Sequence, residues 1–240
     1  REYQVALSWR LAVLTVRKHR SPAMTEREIE SKNSASRIIF ATLALAIGYA
    51  VLRYHIAGPV PWKDFPMFIL NKGLCLAAFI LLTFNFTLGP LRSLGLPVAD
   101  GWLNARKAMG MTGFVLILIH VFMSFMLFTP ANYAKFFVEN GTLTLLAGLS
   151  MLFGLLGFVG LWVYTLSFQT FLREAQAFIR FITSRQTMLF ALVLGGLHLF
   201  FMGYKGWLAP ADWHGSLPPI SLIAFSFFAA GYLVNLLGRE

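Results

Sequence analysis

Two histidines in this 240-residue chain lie inside long apolar stretches, where an ionisable side chain is rare and usually functional. They are His120, in FVLILIHVFMSF, and His198, in LVLGGLHLFFMG. Each follows a basic residue, Lys107 or Arg185, by 13 positions, which in a helix is a rise of about 20 Å. Two neutral imidazoles at one depth on facing helices can supply both axial ligands of a haem iron. The spacing therefore predicts His120 and His198 as the metal ligands of one haem.

Other chemistries fit the same stretches less well. A structural zinc site needs four ligands, whereas only the two histidines are present. The single cysteine, Cys75, excludes an internal disulfide and a CxxC redox pair. Every Asp and Glu falls in a loop or near a terminus, so a proton-coupled transporter is the weaker alternative. Ordinary interhelical hydrogen bonding by the histidines stays open as the structural interpretation.

Three glycines near the histidines are further candidates for cofactor contact. Gly195 and Gly196 lie within one turn of His198, and Gly113 lies two turns before His120. A helix without side chains at these positions can approach a flat macrocycle closely. Glycines at helical spacing are equally typical of helix packing, so this alternative also stays open.

Lys72 is the remaining cofactor-binding candidate. It lies in FILNKGLC, near one end of an apolar stretch. We expect its ammonium group, together with Asn71, to meet a haem propionate. The alternative is that the long side chain reaches the membrane surface and serves only as an interfacial charge.

These residues need a membrane-embedded helical frame, and the composition predicts one. The chain is 58% hydrophobic and 12% charged, with a mean hydropathy of +0.68, whereas soluble domains are about a quarter charged. A membrane span needs about 20 apolar residues. Six stretches of that length are predicted near 38–56, 65–90, 108–129, 142–167, 187–207 and 218–237. The fold expected is an all-α six-helix transmembrane bundle.

The distribution of Lys and Arg predicts the orientation of this bundle. Fifteen of the 20 basic residues lie in the two terminal segments and in the loops after the second and fourth spans. The excess of positive charge marks the cytoplasmic side, so both termini are expected there. The net charge of +10 thus follows from membrane topology, and no nucleic-acid partner is needed to explain it.

Residues 1–37 form a separate basic segment ahead of the membrane domain, 38–240. Residues 1–20 mix apolar and basic side chains over about five turns. They are expected to form an amphipathic helix on the anionic inner leaflet of the lipid membrane. Docking of this segment on a partner subunit is the alternative.

Several motifs resemble the ferric reductase-like transmembrane domain, and most closely its haem-binding subunits of periplasmic methionine sulfoxide reductase systems. The resemblance covers roughly residues 65–207 and is carried by the stretches 71–95, 105–125 and 192–198. The matching positions are Gly73, Pro90-Leu91-Arg92, Arg106-Lys107, Met109-Gly110-Met111, His120 and His198.

The resemblance implies a b-type haem held by histidines on the third and fifth spans. It also implies electron transfer to an outer acceptor from quinol or from a flavin in a domain or partner outside this chain. Members of the family usually carry a second histidine 13 residues before the fifth-span ligand, and Arg185 stands there. Lys107 stands at the comparable position of the third span. A single haem b in the outer half of the membrane is therefore expected.

The sequence as a whole predicts a multi-pass cytochrome of the bacterial inner membrane. We expect it to relay electrons between quinol or a protein redox partner and an acceptor, as an electron-transfer subunit of a larger oxidoreductase complex. The alternative is a haem-free accessory subunit that docks a partner through its basic N-terminal segment.

Overall fold

The computed structural model describes residues 26–172 and 174–238, and every regular element in this part of the chain is helical. Backbone groups in lipid must satisfy their own hydrogen bonds, which is why long apolar stretches adopt helices. The α-helices are α1 (Glu26–Val51), α2 (Leu70–Ser93), α3 (Asp100–Leu127), α4 (Leu145–Leu166), α5 (Gln176–Ile182), α6 (Arg185–Trp207) and α7 (Ile220–Leu237).

Six helical segments are long and apolar enough to cross a membrane, which confirms the predicted all-α, six-span, multi-pass membrane protein. They run over Asn33–Ile56, Trp62–Ser93, Asp100–Leu127, Leu145–Leu166, Arg185–Trp207 and His214–Leu237. The third begins eight residues before its predicted start, because α3 continues into the basic stretch around Arg106. The short helix α5 was not predicted; it lies between the fourth and fifth spans.

The first helix runs through the boundary predicted between the basic segment and the membrane domain. Helix α1 begins at Glu26 and continues without a break past residue 37. The first span itself begins at Asn33. The predicted surface helix over residues 1–20 lies outside the described residues.

Helix α2 is the centre of the bundle. It packs along α1, α3 and α7, and more than half of its span is buried, whereas no other span exceeds about a quarter. Helices α4 and α6 form a second packed pair, which joins the rest mainly through α7. Contact between α3 and α4 is narrow. Space is thereby left between α2 and α3 on one side and the α4–α6 pair on the other.

The connections at one end of the bundle are tied to the first span. The Tyr49 hydroxyl donates to the Pro218 carbonyl oxygen at 2.6 Å. The Arg53 guanidinium donates through Nη1 to the Leu217 carbonyl oxygen. These bonds fix the segment before α7 against the π-helical turn Leu52–Ile56. We call this the loop end of the bundle; residues 57–61, 128–144 and 208–213 connect the spans there.

Candidate functional site

A cavity of about 430 Å³ occupies the space between the two halves of the bundle. This volume is within the range of about 300–1,000 Å³ that is typical of small-molecule and cofactor sites. Its walls are mainly apolar, with Phe79 and Leu82 from α2, Val121 from α3, Phe158 from α4 and Leu192 from α6. His120 and His198 line this same cavity, so the structure brings the two predicted ligands to one site.

His120 is held by a polar group from the central helix. Its Nδ1 lies 2.8 Å from Oδ1 of Asn71, which is almost fully buried on α2. The Asn71 amide is oriented in turn, because its Nδ2 donates to the Ser124 hydroxyl at 3.1 Å. Since Oδ1 can only accept, Nδ1 of His120 carries the proton and donates.

His198 is held in the same way from the other side of the cavity. Its Nδ1 lies 2.8 Å from the backbone carbonyl oxygen of Ser150 on α4. The buried Ser150 hydroxyl donates back to the His198 carbonyl oxygen at 3.0 Å, which ties the two helices together. A carbonyl oxygen only accepts, so Nδ1 of His198 also carries the proton.

Both imidazoles therefore keep Nε2 as an unprotonated nitrogen with a free lone pair. Among residues 26–172 and 174–238, every hydrogen bond to either ring is made at Nδ1. Metal-ligating histidines typically donate the proton of their other nitrogen to an amide, carbonyl or carboxylate oxygen, which fixes the tautomer and orients the ring. The bonds at Nδ1 leave Nε2 of His120 and of His198 available to a metal.

The predicted cofactor contact Lys72 also lines the cavity, near the loop end. Its Nζ lies 5.3 Å from the ring centroid of Phe68 and 4.8 Å from that of Tyr133. The ammonium group is thus directed to the cavity wall and covered by the 128–144 connection. Asn71, expected beside it as a propionate contact, instead bonds to His120.

The three candidate glycines fall in different surroundings. Gly195 lines the cavity, and a Cβ atom there would meet the Phe79 ring at 3.5 Å. A Cβ at Gly113 would meet the Leu82 side chain at 2.8 Å, and one at Gly196 would overlap the Phe228 ring. Gly113 and Gly196 are therefore helix-packing positions, and of the three only Gly195 is placed for cofactor contact.

The remaining histidines divide between the cavity and the surface. His55 bonds through Nδ1 to the Val60 carbonyl oxygen at 2.9 Å and does not line the cavity. His214 does line it, next to Tyr54, with 6.4 Å between the ring centroids. His19 lies outside the described residues.

Arg185, which stands where the resembled family has an inner histidine, begins α6 far from the cavity. Its Nη2 donates to the carbonyl oxygens of Asn235 at 2.5 Å and Leu236 at 3.1 Å. These carbonyls belong to the last turn of α7, where a cation interacts favourably with unpaired carbonyl groups and the helix dipole. This arginine has a structural contact that a neutral histidine would not make as well.

Two residues that hold the histidines were not predicted in that role. Asn71 and Ser150 are buried polar residues within apolar spans, and polar residues there usually have an interhelical partner. Their types were visible in the sequence. Their partners lie on other helices, 49 and 48 residues along the chain, and only the packing pairs them.

Gly154 on α4 was not among the predicted cofactor contacts. A Cβ atom there would lie 2.7 Å from Nδ1 of His198. The missing side chain therefore leaves room for the imidazole against α4. No local sequence signal distinguishes it from Gly148 on the same helix, whose Cβ would meet nothing within 4 Å.

The donor set suits a metal that brings further ligands of its own. The described residues contain no group of three or more His, Cys, Asp or Glu side chains that could hold an ion. Two imidazoles at one apolar cavity would hold a haem iron, because the porphyrin itself supplies the remaining nitrogen ligands. The cationic loop end would face carboxylate groups, so the residues present fit haem b.

A scan of the chain against protein-family models finds no match, and a search among curated proteins finds none either. The likeness to the ferric reductase-like domain therefore rests on the motifs quoted above.

Proposed function

We propose that the chain is a membrane b-type cytochrome with one haem between α3 and α6. His120 and His198 would hold its iron, each through Nε2. The observation that carries the proposal is the shared tautomer: both Nδ1 atoms are bonded to acceptors, and both Nε2 lone pairs are left at one cavity. When bound, haem supplies a one-electron couple at its iron, with a potential set by the ligands and their surroundings.

The residues of the chain would control that potential in two ways. The acceptors on Asn71 and Ser150 increase the basicity of the imidazoles, which favours the ferric state. The apolar walls exclude water and lower the local dielectric, which opposes a gain of net charge on the cofactor. Gly154 lets the His198 ring lie close to α4 and so fixes its position.

The setting that we propose is the bacterial inner membrane, with both chain ends in the cytoplasm. The excess of Lys and Arg supports this orientation. Electrons would come from quinol or a protein redox partner and pass to an acceptor as part of a larger oxidoreductase complex. A flavin on another domain or partner is a further donor compatible with the resemblance.

A haem-free accessory subunit is the second candidate, and one observation favours it. The hydrogen bonds of His120 to α2 and of His198 to α4 join neighbouring helices. Such bonds stabilise membrane bundles by about 0.6 kcal/mol each on average. This role uses Nδ1 only and leaves the cavity and both Nε2 atoms unexplained.

An optical spectrum tests the two candidates. We expect purified protein to show a Soret band and a sharp reduced α band, with one haem per chain. His120→Ala and His198→Ala should each abolish the bis-histidine spectrum. The matched control is His55→Ala, because His55 lies outside the cavity and should leave the spectrum unchanged.

Amounts of membrane-inserted protein must be measured for every variant, so that loss of haem is separated from loss of folding. A colourless wild-type protein that also fails to bind added haemin would overturn the cytochrome proposal. Normal assembly of a variant that carries both His120→Ala and His198→Ala, together with such a colourless wild type, would favour the accessory subunit.

A further inference from the structure

The loop end of the cavity is lined by three cationic side chains from separate elements. Arg53 comes from the turn Leu52–Ile56, Lys72 from α2 and Lys135 from the 128–144 connection. We call these three residues the cationic cluster. They are far apart in the sequence, and the tertiary fold brings their charges to one cavity.

Aromatic rings connect the first two members of the cluster. The Arg53 guanidinium carbon lies 5.5 Å from the ring centroid of Tyr54. Tyr54 packs edge-on against Phe68 with 5.7 Å between centroids, and Lys72 Nζ lies 5.3 Å from Phe68. Ring faces attract cations, but each contact contributes only about 0.5–2 kcal/mol and leaves the positive charge uncompensated.

A similar chain of rings leads from Lys72 to the third member. Lys72 Nζ lies 4.8 Å from the Tyr133 ring, and Tyr133 stacks on Phe136 at 5.9 Å. Lys135 Nζ then lies 4.9 Å from the Phe136 ring. The cluster is thus held along a continuous aromatic wall that keeps its cations oriented without neutralising them.

The charges of the cluster have no matching carboxylates. Asp212 is the one acidic side chain among the described residues that line the cavity, and no ion pair to Lys72 or Lys135 is found in that part of the chain. Positive charges that face one cavity without a paired carboxylate are unfavourable, so the cluster is suited to an anionic ligand.

Arg53 gives an independent indication of a ligand. Only 5% of the residue's surface is exposed. Its Nη1 donates to the Leu217 carbonyl oxygen, but its buried Nε has no hydrogen-bond partner within the described part of the chain. A buried donor without a partner costs about 1–3 kcal/mol, and more when it is charged. A carboxylate at the cavity wall would satisfy this donor.

We infer that the cationic cluster is a carboxylate-binding site, in which Arg53, Lys72 and Lys135 hold the acidic groups of a ligand that occupies the cavity. Charge-assisted hydrogen bonds from Arg and Lys to carboxylates are about twice as strong as neutral ones. The carboxylates are the propionates of the proposed haem or those of a free dicarboxylate. The inference rests on the proposed function only if the carboxylates are haem propionates.

Two porphyrins test the haem source on the wild-type protein. We expect haemin to bind at least about ten-fold more tightly than its dimethyl ester, which lacks both carboxylates. Lys72→Gln and Lys135→Gln should weaken haemin binding and leave binding of the ester unchanged. Lys205→Gln is the matched control, since Lys205 is exposed and does not line the cavity.

Equal affinity for haemin and its ester, with no effect of either substitution, would overturn the carboxylate site while leaving the cytochrome proposal intact. If neither porphyrin binds, the cytochrome proposal fails and succinate becomes the probe. Stabilisation of the wild type by succinate, lost in Lys72→Gln and Lys135→Gln but kept in Lys205→Gln, would then support the free dicarboxylate. No binding of any of the three probes would refute the site.

Discussion

At the residue scale, the hydrogen bonds to Nδ1 determine what His120 and His198 can do. A protonated Nδ1 bonded to an acceptor leaves Nε2 as the only nitrogen able to bind a metal. The two acceptors differ, because one is a side-chain amide and the other a backbone carbonyl. Only the acceptor on Asn71 can be removed by substitution, so it is the better position for an experiment.

Replacement of Asn71 should therefore change the haem potential in a defined direction. In Asn71→Leu the His120 imidazole loses its acceptor and becomes a weaker base, so we expect a higher midpoint potential. Haem binding should weaken by about 10- to 100-fold. Asn71→Asp supplies a stronger acceptor and should lower the potential. Redox titration of the reduced α band measures both shifts.

Asn235→Leu is the control for these variants. Asn235 is also a buried asparagine, but its side chain donates to the Gly231 carbonyl oxygen of its own helix, away from the cavity. Its substitution should leave the potential unchanged. Identical potentials for Asn71→Leu, Asn71→Asp and wild type would show that Asn71 does not orient a ligand.

At the element scale, two helices that carry neither His120 nor His198 position these two side chains. Helix α2 supplies Asn71 to His120, and α4 supplies Ser150 and Gly154 to His198. Protein interiors are packed so closely that one added methyl group displaces neighbouring side chains or lowers stability. The fit of α4 against the His198 ring should therefore be sensitive to side-chain size at a single position.

Gly154→Ala should weaken haem binding with little effect on the bundle. The new Cβ would lie 2.7 Å from Nδ1 of His198, so the imidazole must move and lose its bond to Ser150. Overpacking of this kind costs about 1–3 kcal/mol, which corresponds to roughly 5- to 150-fold in haem affinity. Haemin titration followed at the Soret band measures the change.

Gly148→Ala provides the comparison on the same helix. A Cβ there would meet no atom within 4 Å, so this variant should bind haem as the wild type does. Equal haem affinity in the two alanine variants would contradict the close fit of His198 against Gly154.

At the scale of the whole molecule, the basic residues form two separate groups. Most basic residues lie in the terminal segments and in two connections, a distribution that predicts cytoplasmic termini. A few lie at the opposite, loop end and include the cationic cluster. The first group belongs to the proposed topology, and the cationic cluster faces a cavity within the folded protein.

Cysteine labelling tests the orientation. In a Cys75→Ala background, Glu139→Cys probes the 128–144 connection and Leu96→Cys probes the connection between α2 and α3; both positions are exposed. With the termini in the cytoplasm, a membrane-impermeant maleimide should label Glu139→Cys in cells with a permeabilised outer membrane. Leu96→Cys should be labelled only after the inner membrane is opened. The reverse pattern would invert the proposed topology.

The sequence by itself determined the fold class. Lipid cannot satisfy backbone hydrogen bonds, so six apolar stretches of sufficient length had to become six helices, and the structure confirms them. The sequence also picked out His120 and His198, because a histidine within an apolar span needs a partner or a role. Their equal spacing from Lys107 and Arg185 predicted a common depth in the membrane, because the rise per residue of a helix is fixed.

Only the tertiary structure decided how the site is assembled. The acceptors for the two histidines come from helices about 50 positions away, and the cationic cluster joins three separate elements. Helical periodicity specifies which residues share a face of one helix, but it does not specify which faces meet. Which helix faces meet depends on side-chain packing. In this bundle the packing places Gly154 beside His198 and Gly196 against the Phe228 ring.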